Sequence, residues 1–246
     1  MSLRRRWNAA WQKRLIGRRV CEAGRRGKWI LLHLDDAQVL VIHLGMTGQL
    51  TVASADQEPP AHTHLVFTLD RGQYQLRFTD IRRFGSATLF ADPIALEKFF
   101  VEMGLGPEPF VLESKYLHER LARTSRCLKA VLLDQTVVAG VGNIYADESL
   151  FEAKLPPTRL GRQASRQETA RLRKAIVTVL NRAIDRRGSS IRNYIGGSGL
   201  KGEMQHEFRV YGRAGQPCIR CQSAIERIRL AGRSTHYCPK CQFTEE

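Results

Sequence analysis

Four cysteines near the end of the sequence constrain its folding more than any other feature. Cys218 and Cys221 form one CxxC pair, Cys238 and Cys241 form another, and 16 residues separate the pairs. This is the spacing of a four-thiolate zinc site, in which each pair lies on a tight turn and the four sulfurs close a tetrahedron. Because no coordination position stays open, the single predicted zinc ion is structural. Disulfides are the alternative, although nothing in the sequence suggests secretion.

The residues between the two cysteine pairs alternate as the strands of a β-hairpin do. Residues 225–228 and 235–237 supply the alternating runs, and Gly232 marks the turn. A zinc-bound hairpin of this kind would hold Arg233 at its tip. A guanidinium group at that position is suited to contact a phosphate.

A second constraint is the mid-chain stretch DQTVVAGVGNIYADE at residues 134–148. Apolar residues recur at helical spacing on both sides of it. Gly140 and Gly142 interrupt the pattern, and Asn143 stands where a helix N-cap is expected. Such a turn can seat a phosphate, because unpaired N–H groups and the positive end of the helix point outward together. These residues alone equally allow an ordinary helical hairpin without a ligand.

The charge balance is the third constraint. The 246 residues include 39 lysines and arginines against 24 acidic residues, which gives a formal net charge of +15. Thirty of the basic residues are arginines, the residue type best suited to bidentate phosphate contact. This surplus favours a polyanionic partner, with nucleic acid ahead of a membrane. No apolar run approaches the ~18 residues of a membrane span, so no membrane partner is expected. Two alternative interpretations of the charge are a merely basic protein and a zinc-ribbon RNA binder.

The order of patterns along the chain predicts an α+β protein in three parts. Residues 1–103 are predicted to be a β-sandwich preceded by an amphipathic helix over residues 3–15, residues 104–206 a helical domain, and residues 207–246 the zinc hairpin. The GLGPEP connector marks the first boundary. Strands are predicted at 28–34, 39–44, 64–69, 74–78, 86–90 and 208–211, helices at 94–103, 115–123, 126–135, 143–154 and 166–187, and a loop at 52–62.

Several stretches together resemble the formamidopyrimidine-DNA glycosylase family, bacterial base-excision enzymes related to endonuclease VIII. They are GRRGKWILLHL (24–34), HLGMTGQL (43–50), RRFG (82–85), LGPEP (105–109), KAVLLDQTVVAGVGNIYADE (129–148), EFRVYGR (207–213) and IERIRLAGRSTHYCPKCQ (225–242). The resemblance implies a helix–two-turn–helix domain after the sandwich. It also implies a DNA glycosylase and AP lyase that flips an oxidised purine out of damaged duplex DNA and cleaves its N-glycosidic bond. A monomer of the bacterial cytoplasm, associated with the nucleoid, is expected.

The resemblance also assigns roles to residues of the first domain. Met46, Arg82 and Phe84 match the residues with which family members fill the hole left by the flipped base. Two apolar wedges would replace the lost stacking, and the guanidinium would satisfy the orphaned partner base. Without the resemblance, core packing would be the simpler interpretation of Met46 and Phe84. Lys28 matches a lysine that contacts phosphate near the lesion and assists catalysis; by itself it could be a solvated charge.

Three further matches lie in the second half of the chain. Asn143 matches the phosphate contact of the helix–two-turn–helix motif, and Arg233 matches that of the zinc finger. Glu148 matches an acidic position of the same motif, for which a structural role is expected. Residues 196–204 match the loop that closes over the flipped base.

The family pattern begins with a Pro-Glu pair, whereas this sequence opens Met1-Ser2-Leu3. In the family, the proline amine attacks the deoxyribose C1′ and forms a Schiff base, while the glutamate acts as acid and base on the sugar. Three explanations stay open at this point: a misassigned or truncated start of an ordinary glycosylase, a non-catalytic damaged-DNA-binding paralogue, or an enzyme in which another amine, such as Lys28, forms the Schiff base. The sandwich is accordingly expected to be incomplete at its start.

Overall fold

The computed structural model describes residues 7–189 and 202–243. It confirms the predicted α+β class: β-sheets follow one short helix, further helices come next, and a β-hairpin with clustered cysteines comes last. The chain divides into two compact units, and the predicted three-part division at 103/104 and 206/207 stays a prediction. The first unit is Met1–Glu102 with Arg187–Glu203, and the second is Met103–Arg186 with Met204–Glu246.

Strands and helices mostly occupy separate stretches of the chain. The strands are β1 (Val20–Arg26), β2 (Trp29–Leu34), β3 (Val39–His43), β4 (Gly48–Ser54), β5 (Thr63–Leu69), β6 (Tyr74–Asp80), β7 (Ser86–Phe90), β8 (Glu226–Leu230) and β9 (Arg233–Tyr237). The helices are α1 (Ala9–Leu15), α2 (Pro93–Glu102), α3 (Ser114–Ala122), α4 (Leu128–Leu133), α5 (Asn143–Glu152) and α6 (Arg166–Asp185). Among the residues described, no helix is both long enough and apolar enough to cross a membrane.

Two antiparallel sheets form the first unit, in the orders β1-β2-β3-β7 and β4-β6-β5. They pack around one apolar core, to which Leu32 and Ile42 contribute from the first sheet and Phe78 from the second. Successive side chains of a strand point to opposite faces. Trp29 therefore points away from this core, and it contacts Phe99 of α2 on the other face of the first sheet. The first sheet is thus covered on both faces.

Two predictions about the first unit need correction. Strand β4 continues to Ser54, although a loop was predicted from residue 52, because the strand keeps its register with β6 over all its residues. Helix α1 begins only after Asn8, whose side chain accepts a hydrogen bond from Ala10 N at 3.0 Å. The predicted helix started at residue 3, and residues 3–6 lie outside the described part.

The second unit is built on helices α3 to α6, which share one apolar core. Helix α6 begins with a capping box, in which Ser165 and Glu168 each accept a hydrogen bond from the backbone of the other. Residues 208–211, predicted as a short strand, form none, because the N–H groups of residues 209–211 donate to Glu148 instead of to a neighbouring strand. Of the predicted closing loop, residues 196–201 lie outside the described part.

Candidate zinc centre and nucleic-acid interface

The four cysteine sulfurs converge on one point at the base of the zinc hairpin, defined as residues 218–241. All four Sγ atoms lie within 4.8 Å of one another, with Cys218 and Cys241 3.8 Å apart and Cys221 and Cys238 3.4 Å apart. A disulfide needs about 2.05 Å, whereas tetrahedral thiolates at about 2.3 Å from a metal stand about 3.8 Å from one another. The donors therefore fit one structural zinc, and the disulfide alternative is wrong for these described positions.

The surroundings of the sulfurs shift the pKa values of the cysteine thiols in opposite directions. Backbone and side-chain hydrogen bonds from Ser223 lower the pKa of Cys221 to about 6. Burial raises the pKa of Cys238 and of Cys241. Zinc binds cysteine as the thiolate, so a bound ion would stabilise the deprotonated form of the two buried groups. The charge of zinc would supply that stabilisation, and the metal would in turn fix the two turns that lead into β8 and β9.

The buried carboxylate of Asp147 connects the zinc hairpin to helix α5. Asp147 accepts a hydrogen bond from the backbone N–H of His236 at 3.0 Å. Its other oxygen is paired with the ammonium group of Lys129, and both side chains are fully buried. Burial lowers the pKa of Lys129, and the Asp147 carboxylate acts in the opposite direction. This ion pair therefore fixes α4, α5 and β9 against one another.

The next acidic residue, Glu148, holds the segment that leads into the hairpin. Its carboxylate accepts the backbone N–H groups of residues 209–211 at 2.8 to 3.1 Å. Burial raises its pKa, although these hydrogen bonds act to lower it. One turn later, Glu152 pairs with Arg209 and, at 3.3 Å, with Arg220. Together with Asp147, these residues make α5 the support of the zinc hairpin, and the expected structural role of Glu148 remains a prediction.

The glycine turn before α5 is organised by the side chain of Gln135. Its amide donates to Leu133 O and Val141 O, each at 3.0 Å, and accepts from Gly140 N at 2.9 Å. Gly140 has φ +84°, a conformation that favours glycine. The predicted N-cap is wrong: Gly142 occupies that position without a side-chain cap, and Asn143 is the first residue of the helix.

Because Asn143 does not cap α5, its amide reaches the zinc hairpin. Its Nδ2 donates to Ser234 O at 3.1 Å, next to Arg233, which is exposed at the start of β9. The chain reverses at Ala231 and Gly232, both with positive φ, so Arg233 follows the hairpin turn as predicted. The structure therefore brings the two predicted phosphate-contacting residues of this unit together, although they are 90 positions apart in the sequence.

The four predicted site residues of the first unit lie at one end of the first sheet. Trp29 pairs with His43, and His43 pairs with Ser86. Lys28 precedes Trp29, Met46 follows His43, and Arg82 and Phe84 precede Ser86, so all lie at the same end of the first sheet. Met46 is 55% exposed and Phe84 is 44% exposed. Core packing is therefore the wrong account of these two apolar side chains.

Two chain segments carry Met46, Arg82 and Phe84: residues 44–47 and residues 81–85, called the paired loops below. Arg83 has φ +57°, which reverses the chain so that its neighbours come together. The Arg82 guanidinium lies over the Phe84 ring, 4.7 Å from the centroid. The arrangement presents apolar and cationic groups side by side, as a wedge that enters a base stack requires.

Sequence reasoning missed the residues that hold the paired loops. Asp80, fully buried, accepts hydrogen bonds from both loops, and Thr47 bridges them. The available signal was local: an aspartate closely follows the predicted strand at 74–78 and precedes a glycine-containing loop, a position where a carboxylate commonly accepts backbone N–H groups. The contact with Thr47 spans 33 residues, and no local pattern indicates it.

The matches to known families cover most of the chain. Residues 2–87 match the family described as formamidopyrimidine-DNA glycosylase N-terminal domain, and residues 105–194 match its H2TH domain. Residues 215–242 match the zinc finger found in FPG and IleRS.

Known relatives and solved structures agree with these matches. The formamidopyrimidine-DNA glycosylase of Heliobacterium modesticaldum is 49% identical over 233 residues, which cover 93% of this chain and 83% of the relative. The same enzyme of Desulforamulus reducens is 45% identical over 230 residues, 93% of this chain and 83% of the relative. The structure of Lactococcus lactis Fpg with DNA containing an abasic site has a TM-score of 0.90 at 36% identity, and covers 96% of this chain and 86% of that one. A complex of L. lactis Fpg with DNA containing Fapy-dG has a TM-score of 0.89 at 35% identity, with the same coverage of both chains.

Proposed function

The chain belongs to the formamidopyrimidine-DNA glycosylase family, and from that premise we propose that it removes oxidised purines from duplex DNA. The proposed reaction is cleavage of the N-glycosidic bond after the damaged base has been flipped out, followed by AP lyase cleavage of the strand. The L. lactis relatives were solved with DNA that contains an abasic site or Fapy-dG. These lesions are therefore the first substrates to test.

The observation that carries this proposal is the exposure of Met46 and Phe84 beside Arg82. An apolar side chain exposed on a loop gains its hydrophobic free energy only when a partner covers it. A flipped base leaves a cavity with stacked bases above and below and an unpaired partner base. We propose that Met46 and Phe84 enter that cavity, while the Arg82 guanidinium donates hydrogen bonds to the partner base.

The second unit is proposed to hold the DNA backbone. Asn143 lies at the start of α5, and Arg233 lies beside Ser234, the residue to which Asn143 donates. An amide and a guanidinium on neighbouring segments suit contact with phosphates, because both donate hydrogen bonds to anionic oxygens. Lys28 is proposed to contact a further phosphate near the lesion and to assist catalysis. Its position at the same end of the first sheet as the proposed wedge residues supports this role.

Borohydride trapping separates an enzyme from a protein that only binds DNA. The chain is incubated with duplex DNA containing one abasic site, and borohydride reduces any Schiff base to a stable amine. We expect a covalent protein–DNA adduct, with no adduct on an undamaged duplex of the same sequence. Mass spectrometry of the trapped peptide then identifies the reacting amine.

A parallel assay measures release of the damaged base from a duplex that carries Fapy-dG. Base release together with the adduct supports the proposed glycosylase and lyase. Selective binding to the abasic duplex without an adduct or base release would contradict the proposed enzyme and leave a damaged-DNA-binding protein. Equal binding to abasic duplex and single strands would contradict both, and would favour the RNA-binding alternative.

A further inference from the structure

One buried carboxylate contacts both paired loops. Asp80 ends β6 and is 0% exposed. Its Oδ1 accepts the hydroxyl of Thr47 at 2.5 Å, and its Oδ2 accepts the backbone N–H of Gly85 at 2.7 Å. The N–H of Arg82 lies 3.3 Å from Oδ1. A single side chain thus binds one group of the first loop and two groups of the second.

Thr47 closes this arrangement into a triangle. Its hydroxyl oxygen donates to Asp80 and at the same time accepts the backbone N–H of Arg82 at 3.1 Å. Thr47 directly follows Met46, whereas Arg82 is itself part of the proposed wedge. These hydrogen bonds are therefore made by Arg82 itself and by the direct neighbour of Met46, two of the residues that would enter DNA.

The two loops also touch through their backbones. A Cβ atom on Gly45, which has φ +66°, would lie 2.7 Å from the carbonyl carbon of Phe84 and 2.8 Å from Gly85 N. Such distances are too short for any side chain, so only glycine permits this approach. The loops are thus packed to contact, and their separation depends on the groups that hold them.

We infer that Asp80 is a positioning residue for damage recognition, which sets the distance between Met46 and the Arg82–Phe84 pair. This inference rests on the proposed function of those three residues. A gap in a base stack has a fixed height, and a wedge carried on two separate loops fits it only if the loops keep one spacing. Neither loop contains a helix or strand that could fix the spacing by itself.

Three variants test this role. In Asp80→Ala, the Gly85 and Arg82 N–H groups lose their acceptor, so the loops are expected to separate. Asp80→Asn keeps one oxygen for Gly85 N, and its NH2 can donate to Thr47, so an intermediate effect is expected. Thr47→Val keeps the shape of the side chain but removes the bridge between the loops.

Arg77 provides a matched control on the same strand. It is 3% exposed, and its guanidinium donates to Ser54 O at 3.1 Å and Glu58 O at 3.2 Å. Arg77→Met therefore removes buried hydrogen bonds of β6 that hold a different loop. We expect it to destabilise the first unit without changing recognition of damage.

The measurement is the ratio of two dissociation constants, for an intact duplex and for the same duplex with a tetrahydrofuran abasic analogue. We expect Asp80→Ala to reduce this ratio by roughly tenfold or more, the effect of leaving buried donors without acceptors. Thr47→Val should reduce it less, Asp80→Asn should lie between the Ala variant and wild type, and Arg77→Met should keep the wild-type ratio. Urea unfolding of each variant shows whether the protein is folded when binding is measured.

The outcomes separate the inference from the function on which it rests. A wild-type protein without any preference for the abasic duplex would contradict the proposed function itself. A wild-type preference that both folded Thr47→Val and folded Asp80→Asn retain in full would overturn the positioning role of Asp80 alone. An equal loss in Arg77→Met would also overturn it, because any destabilisation of β6 would then suffice.

Discussion

The paired loops of the first unit and the zinc hairpin of the second each hold side chains proposed to contact DNA, but they are held by different means. One carboxylate, Asp80, and neutral donors hold the paired loops. Four thiolates and the acidic side chains of α5 hold the zinc hairpin. The hairpin is thus fixed by strong interactions of charged groups, whereas the loops are fixed by a few hydrogen bonds and close backbone packing.

This difference agrees with the two proposed tasks. Phosphate contact is the same at every sequence and needs a guanidinium and an amide on a stable support. Recognition of damage requires a wedge of defined height, and the spacing of two loops determines that height. We therefore expect changes in the hairpin to alter affinity for all duplexes, and changes in the loops to alter the preference for damage.

Removal of zinc is the strongest way to test the difference. A chelator should release about one zinc per chain and unfold the hairpin, because the binding free energy of such sites is about 10–16 kcal/mol and is also folding free energy. Hydrogen exchange should show lost protection in β8 and β9 and retained protection in β2, β3 and β6. A metal-free protein with a protected hairpin would contradict the structural role of zinc.

Loss of the Asp147 carboxylate should have the next largest effect. Asp147→Ala leaves the fully buried Lys129 ammonium without its partner, which costs about 3–5 kcal/mol in comparable buried pairs. The control is Lys129→Met with Asp147→Asn, in which the amide oxygen can still accept His236 N and no charge is buried. Urea denaturation should show that this double variant recovers most of the loss; equal stability of the two variants would exclude the stranded charge as the cause.

Substitution of the phosphate contacts should have a smaller effect. Arg233→Ala should weaken binding to damaged and intact duplexes by the same factor and flatten the dependence of log K on log salt by about 0.9, the value for one phosphate contact. Asn143→Ala should also weaken both equally. Arg227, another exposed arginine of the hairpin, is the matched control. An unchanged salt dependence in Arg233→Ala would show that this residue contacts no phosphate.

Glu148 should give the smallest effect, visible only as a dependence on pH. Burial raises its pKa above the ordinary value of 4.5. The folded state therefore holds the proton more tightly than the unfolded chain, and the resulting stability is present below pH 4.5 and lost as pH rises through the folded pKa. Relative to wild type, Glu148→Gln should gain stability as pH rises from below 4.5 to neutral, measured by urea denaturation. A relative loss over that range would mean that the pKa is lowered.

The sequence predicted the zinc hairpin well because its determinants are local. Two CxxC pairs and alternating residues between them specify the metal, the strands and the turn before Arg233 without reference to the rest of the chain. The residue types at Met46, Arg82 and Phe84 were recognised only through family resemblance. Nothing in their own spacing distinguishes exposed wedges from core residues.

The long-range partners of both supports were not predictable, because no local pattern indicates a tertiary contact. Asp80 meets Thr47 across 33 residues and Glu148 meets Tyr211 across 63. Two wrong predictions have related causes. Residues 209–211 form no strand because Glu148 takes their N–H groups. Asn143 is no N-cap because the helix begins one residue earlier than such a cap implies, with Gly142 at the cap.

The central claim is that the first unit recognises damage while the second unit holds the backbone. The most direct test compares Phe84→Ala with Arg233→Ala, with dissociation constants measured for abasic and intact duplexes at one salt concentration. We predict that Phe84→Ala lowers the preference for the abasic duplex and leaves the affinity for intact DNA nearly unchanged, whereas Arg233→Ala weakens both and keeps the preference. The reverse pattern, or the same change in both variants, would contradict this division of roles.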